Sequence, residues 1–86
     1  MNAPHPVLLQ INPLTRITYD INQWIIQTRK TTESDWKSRQ FVGSTMRVVR
    51  RVLDEMGVRV PKKIERALPA SPVAFLEWYN ARHPSP

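Results

Sequence analysis

An apolar stripe between residues 42 and 56 constrains the fold more than any other feature of the sequence. Its members follow one another at spacings of three and four residues: Val42, Met46, Val49, Leu53 and Met56. Side chains at these spacings share one face of an α-helix. Arg47, Arg50 and Arg51 then fall on the opposite face, so the pattern predicts an amphipathic helix with an arginine-rich outer side.

Capping signals extend this helix in both directions. Thr32 and Asp35 match a T-x-x-D N-terminal cap, and Gly57 is a favourable residue just beyond a helix end. The predicted helix therefore covers residues 32–56. A bend or break near residues 43–44 is an alternative, because a glycine followed by a serine permits a fresh helix start there.

The rest of the chain also shows helical signals. Asn12-Pro13 is typical of an N-cap and first helical residue, which predicts a helix over 13–29. Its apolar stripe is Leu14, Ile17, Ile21, Trp24 and Ile25. Prolines bound two further predicted helices, 61–68 and 72–82, and no segment has a clear strand period. The predicted fold class is all-α: a single small domain of three to four helices.

The predicted domain organisation is simple. A chain of 86 residues is expected to form one domain. Residues 1–12 are predicted to be an irregular, apolar N-terminal arm because two prolines interrupt their start. The helical domain is predicted to cover 13–83, and 84–86 a frayed tail.

Composition argues against several classes of function. There are no cysteines, which excludes disulfide scaffolds, zinc fingers and thiol catalysis. The two histidines, His5 and His83, lie near the chain ends, and the two glycines are too far apart for a phosphate-binding loop. We therefore expect no enzyme activity, no metal and no cofactor. No segment has the length of a membrane span or the pattern of a signal peptide, so a cytoplasmic location without membrane contact is expected.

Charge is concentrated in one part of the sequence. The formal net charge is +6, and residues 37–66 carry nine basic and three acidic side chains, which accounts for all of it. The other four basic and four acidic residues cancel. A local positive field of this kind favours an anionic partner.

The arginine face of the long helix is the principal candidate binding site. Arginine matches both carboxylate and phosphate groups. An exposed tryptophan beside arginines is common in protein interfaces and also forms stacking platforms for single-stranded nucleic acid. Helical periodicity places Trp36 on this polar side. The predicted partner-binding residues are Lys37, Arg39, Arg47, Arg50, Arg51 and Trp36.

A second basic patch follows the glycine. It consists of Arg59, Lys62, Lys63 and Arg66. The segment 51–68 resembles the helix-turn-helix pattern of bacterial DNA-binding proteins, which implies a second helix in the major groove. Its apolar position falls one residue late, at Ile64, and the second helix is short. An ordinary helical corner with solvated lysines is the alternative.

Three hypotheses of function follow. The favoured one is an accessory subunit, adaptor or inhibitor that docks through residues 37–66 onto an acidic surface of a larger protein. The alternative is a DNA- or RNA-binding protein that uses the arginine face or the helix-turn-helix. The third is a structural protein whose 42–56 stripe pairs with a second copy as a homodimer.

Overall fold

The computed structural model describes residues 5–84 and has an α+β fold, so the all-α helical-bundle prediction is wrong. Four antiparallel strands come first: β1 (Val7–Asn12), β2 (Thr15–Tyr19), β3 (Trp24–Thr28) and β4 (Lys37–Val42). Three helices follow: α1 (Met46–Glu55), α2 (Lys62–Ala67) and α3 (Phe75–Arg82). The strands pair in the order β1-β2-β3-β4, which leaves β1 and β4 as the edges of the sheet.

The predicted helix over 13–29 is a β-hairpin instead. Ile17 and Tyr19 of β2 face the core, whereas Arg16 and Thr18, which alternate with them, point to the opposite face of the sheet. β2 and β3 are rich in Thr, Ile and aromatic residues, which suit a pleated surface. The same residues show both the alternation of a strand and the three- and four-residue spacings of a helix. Pairing with neighbouring strands stabilises the sheet rather than the helix.

Two side chains form the tight turns that a helix would not allow. Asn12 accepts a hydrogen bond at Oδ1 from the backbone N–H of Leu14 (2.8 Å), between β1 and β2. Asp20 accepts at Oδ1 from the N–H groups of Asn22 (2.7 Å) and Gln23 (3.0 Å), between β2 and β3. Such local bonds compete with helix formation and stabilise turns.

Two further predictions require correction. The N-terminal arm is not irregular in its described part, because Val7–Asn12 forms β1; residues 1–4, and 85–86 of the predicted tail, lie outside the described range. The single helix over 32–56 is also wrong, because β4 occupies its first half. The alternative of a bent or broken helix is wrong as well, since the element before residues 43–44 is a strand, although a helix does start shortly after them, at Met46.

The start of α1 is stabilised by the segment before α3. The backbone N–H groups of Met46 and Arg47 donate to the carbonyls of Val73 (2.9 Å) and Ser71 (2.8 Å). These bonds satisfy donors that helix starts leave free. They also keep 71–73 out of the last helix, which begins at Phe75 rather than at 72. The predicted helix 61–68 is present as Lys62–Ala67.

All three helices pack on one face of the sheet. The predicted stripe is confirmed as core: Val42, Met46, Val49 and Leu53 are buried, and Met56 packs against them. α3 contributes aromatic contacts, with ring centroids 5.1 Å apart for Trp24–Phe75 and 4.9 Å for Tyr19–Trp78. The fold therefore has a sheet layer and a helical layer.

The end of α1 is confirmed at the predicted glycine. Gly57 has φ +76°, in the left-handed region that favours glycine. The N–H groups of Gly57 and Val58 donate to the carbonyls of Asp54 and Leu53, which is the Schellman pattern of a helix C-terminus. The chain then turns towards α2.

Candidate functional site

The structure distributes the predicted partner-binding residues over two layers. Arg47, Arg50 and Arg51 lie on α1 in the helical layer. Lys37 and Arg39 lie on the edge strand β4, and Trp36 directly precedes it. The set that was predicted on a single helix face therefore belongs to two separate surfaces.

The side chain of Arg50 on α1 bonds to α2 and to the segment after α2. Its Nη1 lies 3.1 Å from Glu65 Oε1 on α2, and its Nη2 donates to the carbonyl of Pro69 at 3.0 Å. Its Nε is buried without a hydrogen-bond acceptor in the described part of the chain. Only 24% of the Arg50 side chain is exposed. Arg50 is thus fixed between α1, α2 and the segment after α2.

The other two arginines of α1 are more exposed. Arg51 Nε lies 3.4 Å from Glu55 Oε1, one turn further along the helix, with both side chains more than half exposed. Exposed pairs of this kind contribute little to stability. Arg47 is exposed and points away from the sheet, since the buried residues of α1 are Met46, Val49 and Leu53.

The second basic patch meets Arg50 at a concave surface between α1 and α2. We call this surface, of about 340 Å³, the helical cleft; its lining residues are Arg50, Lys62, Glu65, Arg66 and Ser71. Three cations surround one carboxylate, which already pairs with Arg50. An adjoining concavity of about 320 Å³ also borders Arg50 and includes Arg59. The fold therefore unites parts of both predicted basic sets.

The segment 51–68, which resembles a helix-turn-helix in sequence, differs from that motif in the length of its turn. The connection between α1 and α2 spans residues 56–61, whereas helix-turn-helix motifs use a turn of three to four residues. α2 has only six residues, and none of its side chains is buried. Ile64, the position predicted to face inward, is half-buried against the core.

A cluster that sequence reasoning missed lies at Trp36. The guanidinium carbons of Arg16 and Arg29 lie 4.4 and 4.2 Å from the centre of the Trp36 ring. We call these three residues the Trp36 cluster. Burial lowers the pKa of the Arg16 guanidinium, and the positive charge of Arg29 lowers it further.

Hydrogen bonds link the Trp36 cluster to three strands. Arg16 Nε donates to Gln27 Oε1 at 2.7 Å, and Gln27 Nε2 donates to Ser38 Oγ at 3.2 Å. This row runs across β2, β3 and β4 on the face opposite the helices, which we call the outer face. The signal in the sequence was the alternation of Arg16 with Ile17 and Tyr19, which becomes visible only when the segment is treated as a strand.

The positive charge is accordingly divided in space. The segment of the helical layer from α1 to α2, residues 46–67, carries seven basic residues against three acidic ones, and α3 adds one of each. The sheet layer, with its turns and the loop before β4, has five basic residues against three acidic ones. The basic residues are Arg16, Arg29, Lys30, Lys37 and Arg39, and the acidic ones are Asp20, Glu33 and Asp35. Both surfaces are suited to anions, and neither is neutral.

The two histidines lie at one edge of the fold. His83 follows α3, where its ring stacks on Tyr79 (centroids 4.4 Å apart) and its Nε2 lies 3.3 Å from the Tyr19 hydroxyl. His5 and His83 border the same shallow concavity. The nearby Asp20 carboxylate accepts the turn hydrogen bonds described above. Residues 5–84 contain no group of three His, Cys, Asp or Glu side chains placed to hold a metal ion.

Comparison with protein-family models, curated proteins and solved structures found no match for this chain. Within the described range, none of the helices combines the length and apolar character required to cross a bilayer.

Proposed function

We propose that this chain is a non-enzymatic, cytoplasmic binding protein whose helical cleft docks onto an acidic surface of a larger protein. The observation that carries the proposal is the position of Arg50, fixed by Glu65 and Pro69 beside Lys62 and Arg66. A carboxylate of the partner that enters the cleft meets three cations, of which only one is already paired.

The fixed position of Arg50 favours binding in a second way. Association costs free energy for every flexible side chain that becomes ordered. Arg50 is already ordered by its two hydrogen bonds, so it incurs less of this cost than a free surface arginine. Arginine is also enriched among residues that dominate protein interfaces.

The helical layer suits a protein partner better than duplex DNA. A recognition helix must enter the major groove and present several side chains to base edges. α2 offers fewer than two turns, and its Arg66 lies in the cleft with Arg50. A second copy is also not the proposed partner, because the stripe from Val42 to Leu53 is buried within the chain.

Two charge-matched variants test the proposal. The first, Arg59→Glu/Lys62→Glu/Arg66→Glu, reverses Lys62 and Arg66 in the helical cleft and Arg59 in the adjoining concavity, and leaves Arg50 in place. The control, Lys30→Glu/Lys37→Glu/Arg39→Glu, reverses three cations of the sheet layer. Each variant takes the formal net charge from +6 to zero, so the total charge cannot distinguish them.

Each protein is used to capture partners from a nuclease-treated lysate, followed by quantitative mass spectrometry and titration of the purified partner. We expect one protein to be retained by the original chain and the control, and lost by the cleft variant. Equal retention or equal loss with both variants refutes docking at the helical cleft. Capture that occurs in a parallel untreated lysate but not in the nuclease-treated one assigns the surface to DNA or RNA instead.

A further inference from the structure

The Trp36 cluster holds two arginines with their terminal nitrogens free. Arg16 donates through Nε to Gln27, and Arg29 donates through Nε to the carbonyl of Pro13 at 2.8 Å. Within residues 5–84, no hydrogen bond of either side chain uses an Nη atom. Each guanidinium group is therefore held in place by its Nε hydrogen bond and by its contact with the Trp36 ring. The Nη atoms stay available to donate to an anion.

The cluster also has uncompensated charge. Neither Arg16 nor Arg29 forms an ion pair within the described part of the chain, where the ion pairs are Arg50–Glu65 and Arg51–Glu55. Two guanidinium groups beside one indole repel each other; burial lowers the pKa of Arg16, and this repulsion adds to the effect. Arg29 borders a concavity of about 360 Å³ whose charged lining is four cations and two carboxylates: Arg29, Lys30, Lys37 and Arg39 with Glu33 and Asp35. An anion with several charges relieves this repulsion.

The outer face places an apolar row next to the polar one. Thr18 of β2 and Ile25 of β3 lie two residues from the row that contains Arg16, but both are fully buried. Phe41 of β4 lies opposite Ile25 and, because of an irregularity in the β3–β4 register, three residues from Ser38 in that row. Two strand spacings and an offset of at least two residues place Phe41 roughly 12 Å or more from Arg16. Phe41 is 56% exposed on its edge strand, so its aromatic ring is accessible to an extended ligand that crosses the sheet from the arginines.

We propose that the outer face binds single-stranded nucleic acid, with backbone phosphates at Arg16 and Arg29 and a base stacked on Phe41. A strand offers phosphates at regular intervals and a planar base beside each one, which matches a row of cations next to an exposed ring. An acidic peptide supplies charges but no planar groups. Duplex DNA keeps its bases stacked inside and leaves Phe41 unused. This site is separate from the helical cleft and does not depend on the proposed function.

The test measures fluorescence anisotropy of a labelled fifteen-nucleotide oligothymidylate with the full chain over a range of salt concentrations. For single strands the slope of log K against log salt is about −0.7 per phosphate neutralised. Arg16→Gln/Arg29→Gln is expected to weaken binding at least tenfold and to reduce the slope by about 1.4. Arg47→Gln/Lys62→Gln removes the same charge from the helical layer and is expected to change affinity less than threefold at physiological ionic strength, where the two layers are screened from each other.

A second variant tests stacking without altering charge. Phe41→Leu is expected to weaken binding about fivefold or more with the salt slope unchanged, and the exposure of Phe41 means that the fold tolerates the change. The proposal is overturned by any of four results: no binding at low salt, equal losses in both charge variants, an unchanged affinity of Phe41→Leu, or tighter binding of duplex than of single strand. Displacement of the oligonucleotide by polyglutamate at equal charge concentration overturns it in favour of an acidic peptide.

Discussion

Arg50 and Arg47 lie on the same helix and look equivalent in the sequence, yet their contacts predict different effects on stability. We consider Arg50→Met, which retains an unbranched stem and removes the guanidinium group. The change deletes the bond to the Pro69 carbonyl and the ion pair with Glu65. Arg47→Met is the matched control, because Arg47 is exposed and has no hydrogen bond to another side chain in the described structure.

The magnitude follows from three contributions at Arg50. A hydrogen bond from a charged donor contributes about 1.5–3 kcal/mol. The ion pair contributes about 0–1 kcal/mol, because Glu65 is 58% exposed and screened by solvent. Removal of the buried Nε, which has no acceptor, offsets about 1 kcal/mol of this loss. We therefore expect Arg50→Met to lower the free energy of unfolding by about 0.5–3 kcal/mol, and Arg47→Met to change it by no more than about 0.5 kcal/mol.

Urea unfolding followed by circular dichroism measures both variants, and thermal unfolding checks them. A loss of 1 kcal/mol corresponds to about 4–8 °C in Tm for a domain of this size. The denaturant slope m should be unchanged, since the folded core is the same. Equal stabilities of the two variants would mean that Arg50 does not connect α1, α2 and the segment after α2. The helical cleft would then lose the fixed arginine on which its proposed function rests.

Three further predictions test the fold. Leu53→Ala is expected to lower the free energy of unfolding by about 2–5 kcal/mol, because Leu53 is fully buried. Leu76→Ala should change it by no more than about 0.5 kcal/mol, because the Leu76 side chain is 64% exposed. Equal effects of the two variants in urea unfolding would contradict the placement of α1 and α3. Gly57→Ala should lower the free energy of unfolding by about 1–2 kcal/mol, because φ is +76° and alanine is strained in this left-handed region. No steric clash adds to this loss, since no atom lies within contact distance of the added Cβ. An unchanged Tm in thermal unfolding would argue against the left-handed helix end. Asp20→Ala should destabilise by about 1–2 kcal/mol while Asp20→Asn, which keeps Oδ1, retains most of the stability; no difference between them would refute the turn.

The helices of the C-terminal half could be predicted from the sequence because local signals specify them. The stripe through Met46, Val49 and Leu53 has one strong period, and Gly57 adds a sharp end signal. Both signals act within a few residues, so neighbours elsewhere in the chain cannot override them. The short helices α2 and α3 were found for the same reason, although their starts shifted by one to three residues.

The N-terminal half was not accessible because its local signals are ambiguous. Asn12-Pro13 suits both a helix start and a tight turn, and the spacing from Ile17 to Ile21 to Trp24 is helical by coincidence. The choice depends on pairing between β2 and β3, where Ile17 lies opposite Ile26 and Tyr19 opposite Trp24. Such cross-strand pairs stabilise a sheet only after the hairpin has formed.

The same limit applies to the candidate sites. The count of basic residues in 37–66 was correct, but it suggested one cationic surface. Formation of the hairpin brings Arg16 and Arg29, which cancel against acids in the sequence count, onto Trp36. Packing of α2 against α1 draws Arg50 into an ion pair that its helical position did not reveal. Net charge along a sequence is therefore a weak guide to where an anion binds.

The thinness of the molecule determines how its two cationic surfaces interact. Its shortest dimension is 19 Å, whereas the Debye length is about 8 Å at physiological ionic strength and about 30 Å at 0.01 M. At physiological salt, the helical cleft and the Trp36 cluster lie in separate layers and are screened from each other. An anion on one surface then leaves the other nearly unchanged. At low salt their fields overlap, and a charge removed from either surface weakens binding at both. Measurements that assign a ligand to one surface therefore require salt near the physiological range.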